Sequence, residues 1–150
     1  MEGYDALAKV MKALAHPARL KILRVLQTHG EACVCHLEAV LGYRQAYISQ
    51  QLMRLREAGL VMDRREGMNV FYTLADEAIV RMLDVAQETV STLAKAKGRK
   101  VELFVPPEGS AVNCSCPHCR PQLDGLIAPP YASTAPRARV GIGKTNKAEV

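Results

Sequence analysis

The sequence predicts a mainly α-helical fold with a β-hairpin wing, the architecture of a winged helix-turn-helix. Apolar residues recur at helical spacing through most of the first hundred residues. Two strand-like runs separated by turn-forming residues interrupt this pattern between residues 60 and 74. Helices followed by a hairpin and one final helix form the order that a winged helix-turn-helix requires.

Length and composition fit one ordinary folded domain. The chain has 150 residues, of which 49% are hydrophobic, and this is enough for one proper core. No run approaches the ~18 to 20 uncharged apolar residues of a membrane span, and the N-terminus lacks the layout of a secretory signal. We therefore expect a cytoplasmic protein without a membrane partner. The net charge of +5 favours a polyanionic partner, but many ordinary basic proteins share it.

Two apolar stripes predict two helices before residue 30, because Pro17 favours a first-turn position and Gly30 favours a helix end. The stripes consist of Leu7, Val10, Met11 and Leu14, and then of Leu20, Leu23 and Leu26. A short apolar patch at 37–41, Gly42 and a further stripe of Ile48, Leu52 and Leu55 then predict helix, tight turn, helix.

The remaining elements are a hairpin and a long helix. Strands are expected at 60–65 and 70–74, with the turn at 66–69. Asp76 can cap a final helix whose apolar stripe is longer than one small core requires. Seven of the eight prolines lie between Pro106 and Pro136. The division is therefore a winged-helix and dimerisation domain at 1–100 and a Pro/Gly-rich, cysteine-bearing tail at 101–150.

The second helix of the turn, at about 45–58, would enter the major groove of DNA. With its apolar stripe turned to the core, the opposite face carries polar residues that can reach base edges and phosphates. The alternative is that this polar face is only exposed to solvent and binds nothing. The basic residues of the adjoining hairpin disfavour this alternative. The candidate DNA-contacting residues are Arg44, Gln45, Tyr47, Ser49, Gln50, Arg54, Arg64 and Arg65.

Several ordered motifs carry a family resemblance. They are ALAHPARLKIL at 13–23, SQQL at 49–52, LREAGLV at 55–61, RREG at 64–67 and YTL at 72–74. Residues 5–97 thus resemble the ArsR/SmtB family of metalloregulatory winged-helix repressors. The resemblance implies a homodimer paired through its first and last helices, which binds double-stranded operator DNA with an inverted repeat. It implies a regulator rather than an enzyme.

All five cysteines fall in two tight groups, which in a reducing compartment indicates a metal or redox site. Cys33-Val34-Cys35 resembles the Cys-Val-Cys motif of arsenic-, cadmium- and lead-responsive members of that family. On an ideal helix, residues at i and i+2 point about 200° apart. We therefore expect an ion on both thiols to unwind the helix start, to misplace Ser49 and Gln50 and to release DNA.

The second group consists of Cys114, Cys116 and Cys119. These thiols can wrap one ion, and they can also complete a joint site with Cys33 and Cys35 from either subunit; two separate sites are the other option. The ion would be thiophilic: As(III), Cd or Pb, with Zn as a further option. The final helix contains no histidine, which disfavours a site of histidines and carboxylates there.

The four histidines and the cysteines can each have more than one role. His36 and His118 could be auxiliary ligands, whereas His16 and His29 are expected at helix ends. The thiols could instead serve a redox- or persulfide-sensing repressor on the same fold. The segment 116–119, Cys-Pro-His-Cys, also resembles the active site of thiol oxidoreductases, but the βαβ setting of such enzymes is missing. Cys33 and Cys35 could also be buried small apolar residues.

Overall fold

The computed structural model describes residues 2–107. In this part of the chain, the predicted mainly α-helical fold with a hairpin wing is confirmed. The elements are α1 (Gly3–Leu14), α2 (Pro17–His29), β1 (Ala32–Cys33), α3 (Val34–Leu41), α4 (Gln45–Glu57), β2 (Val61–Glu66), β3 (Asn69–Leu74) and α5 (Glu77–Ala96).

The core lies where α2, α3 and α4 meet. Its largest side chains are completely buried, and burying each Leu or Ile stabilises the fold by about 1.5 to 3 kcal/mol. They comprise Ile22, Leu23 and Leu26 of α2, Leu37 of α3, and Ile48, Leu52 and Leu55 of α4. Because the whole apolar stripe of α4 is buried here, the opposite face of this helix points away from the core.

The wing is an antiparallel hairpin of β2 and β3 that is closed by a two-residue turn. Glu66 pairs with Asn69, and Gly67 adopts a positive φ of 57° between them. Each strand begins and ends within one residue of its predicted limits. The short strand β1 was not predicted, because two residues are too few to show an alternating pattern. It pairs with β3 and gives the sheet order β1-β3-β2.

Helix ends follow the predicted signals. Pro17 is the first residue of α2, and the Nδ1 atom of His16 accepts a hydrogen bond from the backbone of Ala18. Asp76 precedes α5, and its carboxylate accepts a 2.7 Å hydrogen bond from the backbone N–H of Ala78. His16 and Asp76 therefore satisfy backbone donors that the helices themselves leave unpaired.

Part of the predicted apolar stripes lies outside the core of the single chain. Leu7 of α1 is 48% exposed, and Leu93 of α5 is 59% exposed. Leu20 of the predicted α2 stripe is 42% exposed as well. Of the residues in these two helices, Leu14 of α1 and Leu83 of α5 are buried and belong to the core. Helices α1 and α5 therefore present exposed apolar surface within the described residues 2–107.

After α5 the chain turns back onto the folded domain. Gly98 takes a positive φ of 64° just past the helix end. Residues 99–107, which we call the arm, form neither helix nor strand, but Phe104 packs against the core and Pro106 is buried. The first residues of the predicted tail thus contact the domain, while residues 108–150 lie outside the described residues. No helix in the described part is long and apolar enough to cross a bilayer.

Asp76→Ala should destabilise the fold by about 1 kcal/mol, because the backbone N–H of Ala78 then loses its side-chain acceptor. Chemical denaturation at fixed protein concentration measures this change. Glu88→Ala, at an exposed position within the same helix, is the matched control and should change stability by less than about 0.5 kcal/mol. Equal effects of the two substitutions would contradict a specific role for the cap.

Candidate DNA interface and thiol site

Helix α4 presents a polar face opposite its buried stripe. The predicted contact residues on this face are all exposed: Gln45, Ser49, Gln50 and Arg54. Arg44, directly before the helix, is exposed as well. Donors and acceptors on one helix face can meet base edges, and the backbone N–H groups at the helix start favour a phosphate. The predicted orientation of the recognition helix is therefore confirmed.

Tyr47 occupies the flank of this face. Its ring is half-buried and lies edge-on to Tyr43, with 5.4 Å between the ring centroids. The ring of His16 is 6.5 Å away on the other side. Because Tyr43 in turn lies beneath the ammonium group of Lys21, the position of Tyr47 is fixed by packing.

The two wing arginines differ in their surroundings. The guanidinium of Arg64 forms 2.6 Å ion pairs with both Glu31 and Glu66. It also lies 5.1 Å from the ring centroid of Phe71. These hydrogen bonds, that to Glu66 first, raise the pKa of Arg64. Arg65 is exposed beside it. Two carboxylates compensate the charge of Arg64, so this residue fastens the wing to the chain before β1, whereas Arg65 is oriented to the solvent.

One row of residues crosses the sheet from the first cysteine to the wing. Cys33 of β1 pairs with Phe71 of β3, and Phe71 pairs with Arg64 of β2. Glu31, two residues before Cys33, holds the guanidinium of the same arginine. Glu31 was not among the predicted site residues, because no local sequence pattern links residues 31 and 64. The segment that carries Cys33 is therefore connected to the wing through Phe71 and through Glu31.

The two thiols of the Cys-Val-Cys motif face each other. The Sγ atoms of Cys33 and Cys35 are 2.8 Å apart. Cys33 is buried, with 3% of its surface exposed, and its sulfur accepts a 3.4 Å hydrogen bond from the backbone N–H of His36. The expectation that the two thiols point in opposite directions is wrong. Cys33 has extended backbone angles and is the N-cap of α3, so the helical spacing rule does not apply to it.

Two histidines and a backbone carbonyl form a chain of contacts beside the thiols. The Nε2 atom of His36 lies 2.7 Å from Nδ1 of His29, and Nε2 of His29 lies 2.7 Å from the carbonyl oxygen of Pro107. Burial, and then the neighbouring His29, lowers the pKa of His36 to about 4, so this ring is neutral at pH 7. Because a carbonyl only accepts, His29 donates from Nε2 to Pro107.

The helix-end position expected for His29 is confirmed, but its contact with Pro107 was not predicted. The two residues are 78 positions apart, and no sequence pattern reports such a pair.

The described residues supply a pair of thiols rather than a complete set of metal ligands. Among residues 2–107, no group of three or more His, Cys, Asp or Glu side chains is arranged to hold an ion. The predicted ligands Cys114, Cys116 and Cys119 lie outside the described residues. Two soft sulfur donors at this distance still fit the chemistry of a thiophilic ion.

A helix-turn-helix with an exposed polar recognition helix and a basic hairpin defines a class of proteins, the DNA-binding transcriptional regulators. Comparison with known proteins agrees, since residues 16–63 match the model of the family described as bacterial regulatory protein, arsR family. The chain belongs to the arsR family. Its relatives are regulators and not enzymes, so the oxidoreductase alternative is set aside.

Three relatives illustrate the match. A biofilm growth-associated repressor of Agrobacterium fabrum is 48% identical over 77 residues, which span 51% of this chain and 65% of that protein. An arsenic resistance transcriptional regulator of Pseudomonas putida is 38% identical, covering 55% of this chain and 70% of its own. The homodimeric winged helix-turn-helix DNA-binding domain of a possible ArsR-family regulator from Mycobacterium bovis has a TM-score of 0.54 and 36% identity, covering 58% and 80%.

Gln50→Ala should weaken operator binding by roughly 1 to 3 kcal/mol, about 5- to 150-fold, because it removes a side chain able to pair with a base edge. Fluorescence anisotropy with a duplex selected from a random library measures the affinity. Thr28→Ala, at an exposed position of α2 outside the recognition helix, is the control. Unchanged affinity of Gln50→Ala would remove this residue from the DNA contacts.

Arg65→Gln should weaken DNA binding about equally for all DNA sequences. The slope of log K against log salt should become less negative by about 1, as expected for one lost phosphate contact. Arg64→Gln is the matched comparison on the same strand. Arg64→Gln should change the salt dependence of DNA binding less than Arg65→Gln does. It should instead destabilise the wing, which limited proteolysis within the hairpin detects. The reverse assignment of the two effects would contradict the roles given to these arginines.

Proposed function

We propose that this protein is a dimeric, cytoplasmic transcriptional repressor that leaves its operator when a thiophilic metal or metalloid ion binds its cysteine thiolates. The supporting observation is the pair of facing sulfur atoms at the start of α3, the helix that precedes the recognition helix. Arsenite, cadmium and lead are the ions whose softness suits thiolates best, and zinc is a further candidate.

Tail cysteines complete the coordination in this proposal. Two thiolates are fewer than the three that suit trigonal arsenite or the four that suit tetrahedral cadmium and zinc. One or more of Cys114, Cys116 and Cys119 therefore join Cys33 and Cys35 in a joint site. The relative from Pseudomonas putida, whose name states arsenic resistance, makes an arsenic-type inducer a reasonable first choice.

The signal passes from the thiols to DNA by two routes. Cys33 is the N-cap of α3, and α3 packs directly on α4, so a displaced N-cap tilts the helix that supports the recognition helix. Cys33 also pairs with Phe71 in the sheet, next to Arg64 of the wing. The sulfur of Cys33 is buried, whereas Cys35 is partly exposed. An ion that binds both sulfurs therefore has to shift Cys33. It thus disturbs the recognition helix and the wing together.

The proposed dimer uses the apolar surfaces that α1 and α5 leave uncovered. Met11 of α1 and Val85 of α5 are among the exposed apolar residues of these helices, and covering such a surface favours self-association. The structural neighbour from Mycobacterium bovis is described as homodimeric. Two recognition helices related by a two-fold axis would read an inverted repeat in double-stranded operator DNA.

A thiol-redox repressor on the same fold is the second candidate, and the 2.8 Å distance between the sulfurs of Cys33 and Cys35 favours it. In this case a peroxide or polysulfide accepts two electrons from the thiols, two protons are released and a sulfur–sulfur bond forms. The same displacement of Cys33 would follow. An inducer panel separates the two candidates, because only the redox reaction leaves Cys33 and Cys35 without free thiols and makes the metal-free, denatured protein two hydrogen masses lighter in mass spectrometry.

The double variant Cys33→Ser/Cys35→Ser should bind operator DNA as the unchanged protein does, since serine is also a good N-cap, yet arsenite or cadmium should no longer release it. Anisotropy of labelled operator during a metal titration measures this. The variant with Cys114, Cys116 and Cys119 replaced by serine should still respond, but at a higher metal concentration. Normal release by the double variant would contradict the proposal.

A further inference from the structure

A cavity lies between α2, α5 and the arm. Its volume is about 300 Å³, which is at the lower end of the range for small-molecule sites. The walls are mainly apolar and consist chiefly of Leu20, Leu83, Ala86, Val90, Leu103 and Phe104. The arm thus turns a groove between two helices into a concave site that suits a small ligand.

Basic side chains supply positive charge to this cavity. Arg24 lines it, but the guanidinium of Arg24 forms a 3.4 Å ion pair with Asp84. Lys21 lines it as well, and no carboxylate among residues 2–107 forms an ion pair with its ammonium group. Glu102 also belongs to the wall, but its side chain is 85% exposed and pairs with Lys100. The charge of Lys21 is therefore not compensated within this part of the chain.

Two aromatic rings hold the ammonium group of Lys21 in place. Its nitrogen lies 5.7 Å from the ring centroid of Phe104 and 5.9 Å from that of Tyr43. Both distances allow a cation–π interaction, which restricts where the long side chain can lie. The rings attract the charge but provide no strong hydrogen-bond acceptor for its N–H groups. The ammonium group is therefore held ready to bind an anion inside the cavity.

The cavity lies on a different side of α5 from the residue that the proposed dimer uses. Leu83 lines the cavity and is buried, whereas Val85 is 60% exposed. Two residues of a helix differ in direction by 200°, so these side chains point about 160° apart. The apolar wall of the cavity is therefore distinct from the apolar surface around Val85.

We propose that this cavity binds a small carboxylic acid with an apolar chain or ring, and that Lys21 binds its carboxylate. The apolar walls favour the hydrocarbon part of such a ligand, because binding removes it from water. The uncompensated ammonium group favours one negative charge over a neutral polar group. Cys33 and Cys35 are not part of this site, so the proposal goes beyond the metal response and does not depend on it.

Isothermal titration calorimetry of the reduced, full-length protein tests the site, with octanoate as the probe. The proposal predicts saturable binding of one octanoate per chain. 1-Octanol, which has the same chain length but no charge, should bind roughly tenfold more weakly, because it loses a charge-assisted hydrogen bond. Octylammonium should bind more weakly still, because Lys21 repels it. No binding of octanoate, or equal affinity for all three compounds, would overturn the proposal.

Two variants locate the binding site. Lys21→Gln should weaken octanoate binding roughly tenfold and leave 1-octanol binding unchanged, because only the acid carries a charge. Ala86→Leu should weaken the binding of both compounds, because the larger side chain enters the cavity. Lys9→Gln, at an exposed position of α1 outside the cavity, is the matched control and should bind octanoate as the unchanged protein does.

Circular dichroism verifies that each variant is folded. If octanoate bound equally well to the unchanged protein, to Lys21→Gln and to Ala86→Leu, it would bind elsewhere on the protein, and the proposal would be wrong. The experiment contains no metal ion and no DNA, so its outcome is independent of the proposed metal response.

Discussion

The double role of Cys33 is the constraint on which the site depends. Pairing with Phe71 holds the residue in an extended conformation as the last residue of β1, and the same residue caps α3. The extended backbone turns its sulfur toward Cys35, and the cap position directs the backbone of His36 to it. A helical residue at this position would have turned its thiol away. One short strand therefore creates the thiol pair and ties it to the wing.

Periodicity predicted the elements whose signal is local and strong. Ile48, Leu52 and Leu55 define the buried side of α4, so the exposed side followed directly from the helical repeat. The same rule failed at Cys33, because it assumes that the helix has already begun. No pattern could show that Ala32 and Cys33 form a strand, since their extended shape is imposed by β3. Burial there is a tertiary effect that overrides local preference.

Contacts between distant parts of the chain account for the remaining differences. Arg64 stays a predicted phosphate contact, but its ion pair with the nearly buried Glu31 was not predicted. The contact of His29 with Pro107 likewise depends on how the arm folds back after α5. Charged and imidazole groups find such partners only once the core is assembled. The sequence could therefore predict which residue types matter for the site, but it could not predict which of them engage each other.

The most direct test of this account is an anisotropy titration of the reduced protein on its operator with arsenite, cadmium, lead, zinc, copper(I) and a polysulfide in parallel. The account predicts release by one or more of the thiophilic metals at about one ion per subunit, without oxidation of the thiols. Release by polysulfide alone would establish the redox switch instead. A protein that stays on DNA with every one of these compounds would contradict thiol sensing altogether.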